Sequence, residues 1–316
     1  MKKRGLWLIV ICLAVVSLSG WVLAQRFPPD RPPLRPHKVT QARELQLVPA
    51  TEQPQIGNRV SSEIDGDYRV IRSNGVPDHR TGPFPNRGNP HRIATQSYRY
   101  RIPAHPKAAE RVTPLERQSF GIAVNGVPFD PGAAEWYQGD PQSDWRYEPL
   151  SGAIPLGLDA NHAHVQPSGA YHYHGLPHDL LRDLGVKDGT HSQIVGWAAD
   201  GFPIYALYGF ADSKDKDSDI RALKSGYRLK EGNRPGGPGA PGGRYDGTFL
   251  ADYVFEKGRG DLDECNGRFG VTPDFPKGTY AYFLTDQWPV IPRNYRGTPS
   301  EDFQRRGPPR RPGRFR

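Results

Sequence analysis

The chain has 316 residues, of which 36 are Gly and 33 are Pro, and 36% are hydrophobic; so many turn formers exclude a long-helix protein and point to a loop-rich, mainly β one with a single core. The formal charge of +8 lies at the ends: residues 1–24 carry +3, 25–38 carry +3 and 304–316 carry +6, which leaves 39–303 at −4. No folded basic groove with interleaved aromatics is in view, and no nucleic acid is expected as a partner.

In chain order, Lys2, Lys3 and Arg4 precede an apolar run from Leu6 to about Val16 and a mixed stretch ending in Ala24. That is the order of an export signal. Residues 1–24 read as a signal peptide cut after Ala24, or as an uncleaved N-terminal anchor, since residues 5–24 just suffice to span a bilayer. Either way the body lies outside the cytoplasm, in a periplasmic or extracellular location, and only an uncleaved segment would tie it to a membrane. Cys265 is then the one cysteine left, which precludes an internal disulfide. Residues 25–57 read as a Pro/Arg-rich disordered linker, and 304–316 as an Arg/Pro-rich disordered tail that could touch an anionic cell surface.

Between these ends, residues 58–303 read as a single β-rich domain of short antiparallel strands with long loops and one or two short helices. Strands are predicted over 68–72, 98–102, 119–124, 193–198, 252–255 and 279–284. Helices are predicted near 177–184 and 218–223, and a low-complexity surface loop over 232–244. "RSNGVPDH" from Arg72, "AVNGVPFD" from Ala123 and "AADGFPIY" from Ala198 each end a strand in Asn-Gly or Asp-Gly and then add Pro. Such dipeptides accept positive φ and suit tight strand reversals.

The chemistry concentrates in "LDANHAHVQPSGAYHYHG", from Leu158 to Gly175. Pro167-Ser168-Gly169 fits a three-residue hairpin loop with Gly in the left-handed position. In that register His164 opposes His172 and His162 opposes His174. Side chains two apart share a strand face, so all four imidazoles are expected on one side, with Ala163, Val165, Tyr171 and Tyr173 on the other. Clustered neutral imidazoles offer lone pairs at metal-binding separation, and copper or zinc is the divalent metal that suits them. The expected ligands are therefore His162, His164, His172 and His174; a hydrogen-bonded structural cluster is the alternative. His178, His191 and Asp200 lie nearby in sequence, but a helix end, a strand entry and an Asp-Gly turn account for them. Asp261, Asp263, Glu264 and Cys265 lack the spacing of a calcium loop, and Cys265 reads as a buried inert thiol.

These segments, with "GNPHRI", "GWAADGFPIYALYG" and the block from Tyr245 to Arg293, resemble the YHYH-domain family, named after the motif at Tyr171 to His174. The resemblance covers about residues 58–303 and implies no established catalytic residue. Some relatives place His where this chain has Ala281 and Phe283, so that strand is expected to give no ligand here. The favoured function is an exported metal-binding protein holding copper or zinc in the histidine cluster, with a role in metal handling. A metal-dependent hydrolase or oxidase with Asp200, Asp263 or Glu264 as base and a cell-surface interaction module are the alternatives.

Overall fold

A computed structural model describes residues 37–304. The expected signal or anchor, the linker up to residue 36 and the tail from 305 lie outside the described residues. Among the described residues no helix is long and apolar enough to cross a membrane.

The strands are β1 (Val60–Asp65), β2 (Tyr68–Ser73), β3 (Tyr98–Pro103), β4 (Thr113–Pro114), β5 (Gly121–Ala123), β6 (Pro128–Phe129), β7 (Ala163–Val165), β8 (Tyr171–Tyr173), β9 (Gly196–Ala198), β10 (Pro203–Ala206), β11 (Tyr208–Phe210), β12 (Ile220–Ala222), β13 (Tyr227–Leu229), β14 (Tyr253–Phe255), β15 (Gly267–Gly270), β16 (Thr279–Leu284) and β17 (Asn294–Tyr295). Helix α1 (His178–Asp183) follows Pro177, which cannot extend a helix backwards. The protein is mainly β, a single β-rich domain, with no long helix among the described residues.

Eight strands form the main sheet in the order β15-β16-β10-β9-β5-β6-β8-β7. The pairs β10–β16 and β6–β8 are parallel, a departure from the expected antiparallel pattern. Each needs a long crossover, which the loops over 208–278 and 130–170 supply. Strands β1, β2 and β3 form a separate antiparallel meander. In β3, Tyr98, Tyr100 and Ile102 turn inward while Arg99 and Arg101 stay exposed, the two-residue alternation of a half-buried strand. The core takes Ile102, Phe120, Ile122, Phe129, Tyr173 and Tyr282, all fully buried.

The three turn segments share one local device. The side-chain oxygens of Asn74, Asn125 and Asp200 accept the N–H two residues on, at 3.3, 3.2 and 3.4 Å, and Gly75, Gly126 and Gly201 have φ of 66, 79 and 92°. The second and third reverse β5 into β6 and β9 into β10; the first instead releases the chain from β2 into a long loop.

Two expectations are corrected here. The segment over 218–223 holds strand β12 at its centre, laddered to β11; Ile220 and Leu223 have helical spacing, but the segment is too short to nucleate a helix without capping. Residues 37–57, expected within a disordered linker, form an extended arm along the domain. Val48 N–H donates to Leu158 O at 2.9 Å, Ala160 N–H to Val48 O at 2.9 Å, and Glu52 pairs with Thr81. The backbone thus supplies ordering contacts, to which Val39 adds packing against the Tyr147 and Phe249 cluster.

Candidate metal centre

The hairpin forms in the expected register: His164 lies opposite His172, Val165 opposite Tyr171 and Ala163 opposite Tyr173. Gln166 N–H donates to Ala170 O at 2.9 Å and Gly169 N–H to Gln166 O at 2.8 Å. Gly169 has φ of 85°, and a Cβ there would stand 2.5 Å from the Ala94 Cβ, so both conformation and space require Gly.

Three imidazoles converge on the hairpin's outer face. The Nε2 of His174 lies 3.0 Å from that of His172 and 3.1 Å from that of His164, with ring centroids 4.7 Å apart in each pair. Backbone carbonyls fix two of the tautomers. His164 Nδ1 donates to Leu156 O at 2.9 Å and His172 Nδ1 to Ala170 O at 3.2 Å. A carbonyl only accepts, so these rings carry their proton on Nδ1 and turn an Nε2 lone pair inward. His174 Nδ1 is buried with no hydrogen-bond partner among the described residues. Burial pushes His164 down to about 3 and His174 well below the ordinary imidazole value, with the neighbouring rings adding to the effect. His164 and His174 are thus held neutral, the form that ligates a metal.

His162, the fourth expected ligand, stands outside this group. Its N–H closes a turn on Asp159 O at 2.8 Å, and its own carbonyl accepts from His174 N–H at 2.8 Å, so the backbone pairing is as expected. Its φ, however, is 50°. Face alternation holds only along extended backbone, and the left-handed turn swings the ring to Leu176 O, 3.2 Å from Nδ1, and to the exposed His178 ring, 5.0 Å away.

Asp130, which the sequence reading left out, lies beside the triad. Its carboxylate, buried, accepts from Gln166 Nε2 at 3.2 Å and, after the Leu156 carbonyl, offsets a small part of the downward push that burial gives His164. It follows the second Asn-Gly turn through β6, whose Phe129 is registered with Tyr173. The recurrence of that turn in the sequence was the signal available. Two arginines brace the loop after it: Arg293 Nη1 donates to Pro131 O at 2.5 Å and Arg146 Nε to Ala133 O at 2.7 Å.

The alternating tyrosines serve the opposite face. Tyr171 O–H donates to Asp159 at 2.7 Å. His79 Nδ1 donates to Arg80 O at 2.7 Å, so its Nε2 accepts from Tyr173 O–H at 2.6 Å, while Asn125 Nδ2 donates to the same phenol at 2.9 Å. The first two turn segments thus clamp the motif from behind.

The remaining candidates have structural places. His191 is buried against Tyr205 and Phe210 with Nδ1 on Ser192 O. Asp261 pairs with Arg221, and Asp263 accepts from Tyr280 O–H and from the Cys265 and Gly267 amides. The backbone carbonyl of Glu264 accepts from Tyr227 O–H and Asn294 Nδ2. Cys265 is buried and free, its thiol pushed up by desolvation. Asp200 accepts from Tyr282 O–H and from Gly297 N–H at 2.8 Å.

Burial lifts Asp200 from 3.8 to about 6, and this has a stability consequence. A raised native pKa means that the group's full contribution is present below the unfolded value and is lost as pH rises through about 6. The difference is worth on the order of 3 kcal/mol. Asp200→Asn is expected to flatten this part of the profile, read as the change in unfolding free energy between pH 4.5 and 7 in wild type and variant; an unchanged slope would assign the pH dependence elsewhere.

The profile of the family described as YHYH protein matches residues 99–297, which includes the triad, Asp130 and Asp200. Among curated proteins and among solved structures, none matches the chain.

Proposed function

Because the chain belongs to the YHYH protein family and the motif's two histidines are two of three converging imidazoles, we propose that it holds one divalent copper or zinc ion on His164, His172 and His174. The observation that carries this reading is the convergence of the His172 and His164 Nε2 atoms on that of the buried His174, at 3.0 and 3.1 Å. Ligands about 2.0–2.1 Å from a tetrahedral ion stand about 3.3 Å apart, so little movement is needed. Neutral rings alone fit this geometry poorly. One shared proton cannot satisfy three facing nitrogens, and His174 Nδ1 stays unpartnered. When bound, such an ion supplies Lewis acidity and, for copper, one-electron chemistry. The chain orients two ligands through the Leu156 and Ala170 carbonyls and keeps His164 and His174 neutral.

A metal-handling role outside the cytoplasm accords with the charged, apolar and small-residue order of residues 1–24. A metal-dependent enzyme is the second reading. It is favoured by a ligand set of three rather than four, which leaves a coordination position for water or substrate, and by a cleft that reaches His172. Asp130 then stands nearer the centre than Asp263 or Glu264 as a carboxylate partner.

The test is elemental analysis of untagged protein, followed by calorimetric titration of copper and zinc at pH 7.5 and 5.5. One ion per chain is expected. Since burial holds His164 near 3, proton competition sets in below the range of free imidazole near 6.5. Affinity is therefore expected to fall less than about tenfold between the two pH values. The absence of stoichiometric binding by either metal would return the triad to a structural cluster.

A further inference from the structure

The triad's face opens on a cleft of about 330 Å3, at the small end of the range for small-molecule sites. Its floor is the hairpin itself: Gln166, Ala170 and His172, which share a strand face. Its wall is an aromatic ladder in which Tyr98 stacks on Tyr100 at 5.4 Å and Tyr100 on Phe303 at 4.1 Å. The polar residues Ser97, Ser119 and Gln304 complete the rim.

The lining holds one acid and one base. The acid, Asp302, already accepts the Arg101 N–H at 2.8 Å and lies 3.8 Å from that residue's Nε. The base, Arg99, reaches the cleft from the exposed face of β3. With one charge of each sign the lining offers an anion no excess of positive charge, and a purely apolar ligand would strand the amide and hydroxyl groups without partners. Aromatic wall, neutral donors and acceptors, and small volume together suit a ring-sized molecule bearing several hydroxyls.

We propose that this cleft binds a single neutral sugar unit, seated against His172 so that a hydroxyl faces the ion held by the triad. The second half of that statement rests on the metal reading above; the first does not.

The test uses the full chain, metal-free and loaded with copper(II). The probes are glucose, galactose and N-acetylglucosamine, with gluconate as the anionic control. Saturation-transfer NMR on the metal-free protein is expected to show binding of at least one neutral sugar and not of gluconate. Tyr98→Ala and Gln304→Ala are each expected to weaken that binding at least about tenfold while leaving copper affinity unchanged. Gln304 gives a second variant in case Tyr98→Ala unfolds. In the loaded protein the same sugar is expected to alter the copper EPR spectrum. Sugar binding without copper binding would sink the metal reading and leave the cleft standing. Copper binding with no sugar response, preference for gluconate, or binding indifferent to both variants would overturn the sugar site.

Discussion

Replacing His164, His172 or His174 with alanine is expected to weaken copper or zinc binding at least a hundredfold each, on the order of 3 kcal/mol. The His164→Ala/His172→Ala pair is expected to lose little more than either alone. Ligands of one ion act as a unit, and a site missing one ligand has already lost most of what the others contribute. His162→Ala is expected to stay within about threefold, because the left-handed turn takes that ring to Leu176 and His178. Stability gives a complementary reading. His174 is buried with an unpartnered Nδ1, so His174→Leu removes a desolvated polar group from the metal-free protein and fills much of its volume. The metal-free melting temperature is expected to hold or rise while metal binding disappears, the trade-off of a residue kept for function. Calorimetric titration and thermal denaturation of the same variants would show both. Additive losses from His164→Ala and His172→Ala, or a large fall in metal-free stability for His174→Leu, would mark the cluster as a structural hydrogen-bonded one.

How much of this was legible in the sequence depended on the range of the signal. The hairpin was readable because its determinants are local: two alternating pairs, a Pro-Ser-Gly loop, and a glycine whose φ of 85° few other residues adopt. Strand β16 was found over its full length, as six apolar-rich residues of which all but Thr279 are buried in the sheet. The limit of local reasoning shows at His162. Alternation presumes extended backbone, and the turn that Asp159 closes one residue before β7 breaks it. Asp130 was missed for another reason: the recurring Asn-Gly turn marks its neighbourhood, but it reaches the triad through the parallel pairing of β6 with β8, and no short-range pattern encodes a parallel neighbour. The arm over 37–57 is the converse case. Its composition gives little reason to fold, yet its peptide groups pair with segments far along the chain, and composition carries no information about backbone pairing partners.

The segment over 232–244 yields the other large expected effect. Gly and Pro dominate it, and the sequence reads it as a surface loop; its Arg234 side chain is nevertheless fully buried. Arg234 meets Asp252, equally buried, through Nε at 2.7 Å and Nη2 at 2.6 Å, and it also contacts Asp246. Nη1 donates to Thr40 O at 2.8 Å, so the same guanidinium pins the start of the arm. A bidentate pair of this kind draws its importance from what its loss leaves behind. Arg234→Met strands the Asp252 carboxylate away from water with only the Gly247 and Phe249 amides as partners, an uncompensated buried charge worth about 3–5 kcal/mol. In a domain of this size that corresponds to a fall in Tm of about 10 °C. Arg234→Met/Asp252→Asn is expected to regain part of the loss, because the stranded charge goes with its partner. By contrast, Arg72→Ala, which breaks a pair about half exposed on both sides, is expected to cost under about 1 kcal/mol. The arm's Val48 pairs with residues 158 and 160, just after the Leu156 carbonyl that orients His164. Metal affinity in Arg234→Met is therefore expected to drop, though by less than for loss of a ligand. Chemical denaturation of the four proteins decides the point: a cost below about 1 kcal/mol for Arg234→Met would mean that the loop behaves as its composition suggests and that the arm is held by its backbone pairs alone.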